Sequence, residues 1–335
     1  MQTEKRVDLV FEGGGVKGIG LVGALSVLEE RGYRPRNIAG ASAGAIVATL
    51  SAAGYNAAEL QEIMQTLDYN LFEDETWEDR IPLVGTPLSI IKELGIYKGE
   101  YFLGWMREKL EAKGIRTFHD LVHPDYADYA DDDLRHYKVQ VIASDLTGRS
   151  LLVLPRNSKR KLDVDPDDLN VAEAVRMSMS IPFFFEPVRL TNPQTHQEHL
   201  IVDGGVLSNF PVWLFDSDGP PEWPTFGLRL VEPDPKISLA ERLPSEASPG
   251  GIEAVIDYIK SLIHTMLEAH DRLYLEQDVY VRTIAIPTLG VQTTEFDLSP
   301  EKAQELYESG RTAAKRFLET WSFARYVAKY RHSED

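Results

Sequence analysis

The chain has 335 residues, with 35 Lys and Arg against 53 Asp and Glu for a formal charge of -18, and no cysteine. Its 43% hydrophobic and 26% charged content is that of a globular protein able to bury a large core. The acidic balance argues against a nucleic-acid coat, which needs clustered cations to displace counterions, and the missing cysteines exclude disulfides, thiolate metal sites and a Cys nucleophile.

No run approaches the roughly 18 consecutive apolar residues of a spanning helix. The apolar stretch Val7 to Phe11, between Lys5-Arg6 and Glu12, is too short for a signal-peptide core, so a cytoplasmic location is expected. That same stretch is β-branched and followed by Gly13-Gly14-Gly15, which predicts a buried strand entering a sharp turn. Ile19, Leu21, Val22, Leu25 and Leu28 then recur at helical spacing up to Gly32, a helix C-terminus. A second strand around Asn37 to Gly40 runs into Ala41-Ser42-Ala43-Gly44 and a small-residue helix ending at Gly54. A β-α-β-α start is the pattern of a parallel sheet covered by helices.

Residues 57 to 67 predict a helix, whereas 68 to 98 mix aromatics, acids, Pro82, Gly85, Pro87 and Gly95 without one period, the character of a lid or binding loop. A helix over 99 to 113, an acidic connection over 125 to 133, and strands at 138 to 143 and 151 to 154 follow. Asn170 with Glu173 resembles a capping box that opens a helix closed by Pro182. Strands are expected at 200 to 202 and 226 to 230, and the Pro-, Ser- and acid-rich 232 to 251 is the best linker candidate. The region from about 250 resembles a continuation of the same α/β pattern, so one domain over 1 to 335 is expected.

Gly40-Ala41-Ser42-Ala43-Gly44 is a G-x-S-x-G pentapeptide between a predicted strand and a predicted helix, where small neighbours permit a strained elbow that presents a Ser nucleophile. The bland alternative is that Ser42 only caps the helix. Gly13-Gly14-Gly15-Val16-Lys17-Gly18 formally satisfies G-x-G-x-x-G, but the elbow stands where a dinucleotide site wants an acid, and no G-K-[ST] completes a phosphate loop. Backbone N–H groups of such a turn can instead hold an oxyanion. Asp203-Gly204-Gly205 follows the apolar run Leu200-Ile201-Val202 and places a carboxylate at a strand tip. A Ser-Asp-His hydrolase would need a His after that acid, which leaves His264, His270 and His332. His196 and His199 are three apart in a polar loop with no third ligand in view, so no metal site is expected.

The glycine loop, the elbow and the Asp203-Gly204 pair, in that order, resemble the patatin-like phospholipases. Ser144-Asp145-Leu146-Thr147-Gly148, Met179 to Pro187 and Gly95-Ile96-Tyr97-Lys98-Gly99 add to the similarity, which covers about residues 7 to 215. The resemblance implies a three-layer α/β/α fold around a central, mostly parallel sheet. It implies a Ser42-Asp203 dyad without a catalytic His, and an oxyanion hole formed around Gly13, Gly14, Gly15 and Val16. Gly40, Gly44, Lys17, Gly18, Gly204 and Gly205 would support these loops, and no cofactor is implied. The family often carries Arg after the three glycines, where this chain has Lys17 nearby.

The implied reaction is hydrolysis of phospholipid or lysophospholipid acyl esters, with peripheral membrane contact and no nucleic-acid partner. A general carboxylesterase and a non-catalytic scaffold on the same fold are the alternatives. Arg156 with Lys159-Arg160-Lys161 forms the one dense basic run, either a headgroup contact or a solvated loop. A carboxylate base also leads one to expect activity at lower pH than an imidazole near 6.5 allows.

Overall fold

The computed structural model describes residues 5–67, 95–125, 135–217, 219–232, 277–293, 295 and 298–331. Residues 68 to 94 of the lid candidate over 68 to 98, most of the acidic connection, nearly all of the linker candidate, and His264, His270 and His332 lie outside the described residues.

Chain order runs β1 (Lys5–Phe11), α1 (Gly18–Glu30), β2 (Tyr33–Ala41), α2 (Ala43–Ala52), α3 (Ala57–Thr66), β3 (Gly95–Tyr97) and α4 (Glu100–Glu111). Then come β4 (Val139–Asp145), β5 (Ser150–Leu154), α5 (Ser158–Leu162), α6 (Val171–Ser178), β6 (Phe183–Phe185), β7 (Val188–Thr191) and β8 (Glu198–Asp203). The chain ends with β9 (Thr225–Val231), α7 (Gln277–Tyr280), β10 (Thr283–Pro287), α8 (Pro300–Thr320) and α9 (Phe323–Tyr330).

The fold is α/β, with a central sheet in the order β10-β9-β1-β2-β4-β8-β7 and β5 also paired to β4. Strands β10, β9, β1, β2 and β4 are mutually parallel, while β8, β7 and β5 join in antiparallel pairs. Alternation along the strands sorts the core. Val7, Leu9 and Phe11 of β1, with Val139, Val141 and Ala143 of β4, face the layer that contains α1, α2, α3 and α6. Val10, Ala39, Ala41 and Ile142 point the other way, onto Val212, Leu214 and Phe215. This period-2 division follows from the pleat.

Strands β9 and β10 belong to the same sheet as β1, and α8 packs along α1. Phe317 and Trp321 stack and meet Phe226 of β9 edge-on. Asn170 Oδ1 accepts the Glu173 N–H at 3.1 Å, but Glu173 pairs with Arg107 at 2.9 Å, so half of the expected capping box forms. Short strands β3, β6 and β7 and helix α5 had no legible sequence period; each is three to five residues long, below the length at which periodicity speaks.

Among the described residues, no helix is long and apolar enough to cross a membrane.

Candidate active site

The centre of the site is the turn from β2 to α2. Ser42, its single residue, has φ 52 and ψ -130, a conformation that costs an L-residue on the order of 1–3 kcal/mol and persists only when the surroundings hold it. Gly44 makes the turn possible, because a Cβ there would run into the carbonyl groups of Phe11 and Glu12 at the end of β1. Gly44→Ala is therefore expected to lower stability by roughly 1–3 kcal/mol, as overpacking does, measured by denaturant unfolding. Gly40 faces the Gly44 carbonyl in the same tight turn.

Parallel pairing of β1 with β2 puts the glycine loop beside this elbow. A Cβ on Gly13 would fall 2.9 Å from the Ser42 Cβ. The Gly13 N–H donates to the Asn209 carbonyl at 3.2 Å, and Asn209 Nδ2 donates back to the Gly13 carbonyl at 3.1 Å. The Val16 N–H donates to the Thr293 carbonyl at 3.3 Å. Of the four expected oxyanion positions, Gly13 and Val16 thus have their N–H groups engaged. Gly14 and Gly15 donate to no other described residue.

Gly15 has φ +58, and a Cβ on it would overlap the Thr293 carbonyl. Gly15→Ala is expected to displace the loop and reduce ester turnover at least tenfold, a kinetic test of whether this backbone matters to the reaction. Lys17 is buried and its Nζ stands 3.8 Å from Glu232 at the end of β9. Gly18 opens α1.

Asp203 arrives by a route the sequence did not reveal. Strand β8 runs antiparallel to β4, and Ala143 pairs with Asp203 while the adjacent Ile142 pairs with Ala41 of β2. The end of β8 therefore lies two strands from the elbow, across β4, and at its level. Gly204 packs on the Ile142 carbonyl. Asp203 is fully buried; its Oδ1 accepts the Gly205 N–H at 2.8 Å, and Oδ2 has no hydrogen-bond partner among the described residues.

Burial pushes the Asp203 carboxyl up to about 7, against the opposing pull of the Gly205 N–H and the Ser42 hydroxyl. The hydroxyl is near enough to favour the ionised carboxylate, yet the acceptor it reaches is Met179 Sδ at 3.8 Å. Burial thus brings this carboxyl close to the range of an imidazole instead of leaving it well below.

His199 lies in β8 rather than a loop and is buried, with Nδ1 2.7 Å from Asp145 Oδ2. Asp145 Oδ1 accepts the Gly148 N–H at 2.9 Å, so the pair braces the β4–β5 turn. His196 sits in the preceding turn with φ 57. Among the described residues, no group of three or more His, Asp or Glu is placed to hold a metal. The basic run forms α5, where Lys159 pairs with Asp163 at 3.0 Å and Lys161 Nζ donates to the Leu151 carbonyl at 2.7 Å.

The residues that sequence reasoning missed are Ser178, Met179, Asn209 and Thr293. Met179 was visible only as part of a longer similar segment; Ser178, Asn209 and Thr293 carry no sequence signal that distinguishes them from ordinary polar positions.

The profile of the family described as Patatin-like phospholipase matches residues 9–216. A Bacillus subtilis (strain 168) protein described as uncharacterized protein YqhO is 38% identical over 319 residues, covering 95% of this chain and 99% of that one. The probable lipid hydrolase 463L of Invertebrate iridescent virus 6 is 24% identical over 216 residues, 61% of each chain. The solved structure of VipD from Legionella pneumophila matches with a TM-score of 0.53 at 19% identity, over 95% of this chain and 67% of that one.

Proposed function

Because the chain belongs to the patatin-like phospholipase family and is a lipid acyl hydrolase, we propose that it cleaves phospholipid or lysophospholipid acyl esters with Ser42 as nucleophile and Asp203 as general base. The observation that carries this reading is the approach of the two residues at the elbow, with a buried carboxyl whose Oδ2 has no hydrogen-bond partner among the described residues and which burial pushes up to about 7. A general base is most effective with a pKa close to the working pH.

In the first step Oδ2 takes the Ser42 hydroxyl proton while Oγ attacks the ester carbonyl carbon. The Gly14 and Gly15 N–H groups face the negative charge that develops on the carbonyl oxygen. Collapse of this intermediate breaks the bond to the glycerol oxygen, which leaves with the proton held by Asp203. Water then attacks the acyl-enzyme, Asp203 again accepting the proton, and fatty acid departs as Ser42 is regenerated.

Two exposed apolar residues close in sequence to residues of the site suit a lipid substrate. Phe183, four residues beyond Met179, and Leu207, between Asp203 and Asn209, are 39% and 37% exposed, large apolar side chains that acyl chains can contact. The test is release of fatty acid from phospholipid vesicles measured beside turnover of a short-chain nitrophenyl ester. Turnover of both supports the lipid reading; turnover of the nitrophenyl ester alone favours a general carboxylesterase, and turnover of neither favours a scaffold. Activity is expected to survive EDTA, since backbone N–H groups hold the oxyanion in this mechanism. Inactivation reversed by Ca²⁺ or Zn²⁺ would contradict it.

A further inference from the structure

The last turn of α6 and the two residues after it touch both halves of the dyad. Ser178 Oγ accepts the Ser42 N–H at 2.9 Å and donates to the Ile142 carbonyl at 2.5 Å. Met179 Sδ lies 3.8 Å from Ser42 Oγ. The Ser180 carbonyl accepts the Asp203 N–H at 2.9 Å. Three consecutive residues therefore hold the nucleophile's amide, its hydroxyl and the base's amide. Ser178 and Ser180 are completely buried.

Behind them Arg176, itself buried, reaches the Ser180 hydroxyl and the carbonyl groups of Lys98 at 2.5 Å and Glu186 at 3.1 Å. Its guanidinium lies 5.3 Å from the centre of the Phe185 ring. This anchors the segment to the backbone on both of its flanks, so the three contacts rest on a rigid support.

The physical need is specific. An L-residue at φ 52 relaxes unless something holds it, and a buried N–H without an acceptor is costly. The Ser178 hydroxyl answers both, because it accepts from Ser42 and is itself fixed by the β4 carbonyl that lies between the elbow and β8. We propose that Ser178 is a positioning residue that holds the Ser42 backbone in its strained elbow conformation and so keeps Oγ within reach of Asp203. This inference rests on Ser42 being the nucleophile.

The experiment compares wild type, Ser178→Ala and Ser178→Thr on a soluble nitrophenyl ester and by the rate of fluorophosphonate labelling at Ser42, with hydrogen exchange read at the Ser42 amide. Ser178→Ala is expected to lower kcat by about tenfold to a hundredfold, the scale of a misplaced reacting group, with KM within twofold. Labelling should slow in parallel and the Ser42 amide should exchange faster. The Thr variant, which keeps the hydroxyl, is expected to recover most of the loss.

If the alanine variant is too unstable to assay, Ser178→Cys keeps the volume, weakens the acceptor and is expected to show the same loss of kcat in smaller degree. Wild-type kcat and labelling rate in the alanine or cysteine variant, even with a lower Tm, would overturn the inference. Failure of Thr to recover activity in a folded variant would count equally against it. A wild-type protein that does not label at Ser42 overturns the nucleophile assignment first, and this inference with it.

Discussion

Ser42→Ala is expected to reduce acyl-ester turnover to background, a loss of roughly 10⁴- to 10⁶-fold by analogy with removal of other hydrolase nucleophiles, while the protein remains folded. The substitution deletes one buried oxygen, whose acceptor in the free enzyme is a thioether sulfur at 3.8 Å, and leaves the Ser42 N–H to Ser178 in place. Little stability is lost with it. Ser42→Gly should be equally inactive yet at least as stable as the alanine variant, because glycine occupies φ 52 without steric cost. Thermal unfolding of the two variants beside their turnover checks both halves. Substantial hydrolysis by purified, folded Ser42→Ala would remove this residue from the mechanism.

Asp203→Asn is expected to lower turnover by roughly 10²- to 10⁴-fold, the range of general acid–base catalysis, because an amide has the shape of the carboxyl but cannot take the Ser42 proton. Its effect on stability should have the opposite sign. The carboxyl titrates at about 7 in the folded chain against 3.8 in the unfolded reference, so the folded state holds this proton more tightly. As pH rises from about 4 to about 7 the unfolded chain gives up its proton first, stability falls, and the loss persists at higher pH.

An asparagine never ionises, so the variant should melt above wild type at pH 8 and the gap should close toward pH 4. Wild-type activity should rise through about pH 7 as the base becomes ionised. His264→Ala and His270→Ala should each remain within several-fold of wild type. Collapse of either, with Asp203→Asn no worse, would place a histidine in the base's role.

The elbow and the glycine loop of the candidate site could be read from residue order, for a physical reason. Gly44 and Gly15 stand where a Cβ would strike backbone, and such backbone demands leave glycines in the sequence. The parallel β1–β2 core was equally legible, since buried strands appear as short β-branched runs. The approach of Asp203 was not legible: nothing in Leu200-Ile201-Val202 says that β8 enters antiparallel to β4, a matter of pairing between segments some sixty residues apart.

The partners of the glycine loop were not legible for a similar reason. The Val16 N–H is engaged by Thr293, which lies more than 270 residues away, and Gly13 by Asn209. Burial of the Asp203 carboxyl, and with it the upward shift to about 7, depends on the same distant packing. The sequence could supply the carboxyl but not the solvation that sets its proton affinity.

The proposed reaction depends on a Ser42 nucleophile activated by Asp203. The most direct test follows fluorophosphonate labelling against pH for wild type and Asp203→Asn, with the modified residue located by mass spectrometry. The expected result is a label on Ser42, a wild-type rate that rises through about pH 7, and a rate in Asp203→Asn lower by about 10²-fold or more without that rise. A label on another residue, or wild-type labelling rates in Asp203→Asn across the pH range, would contradict it.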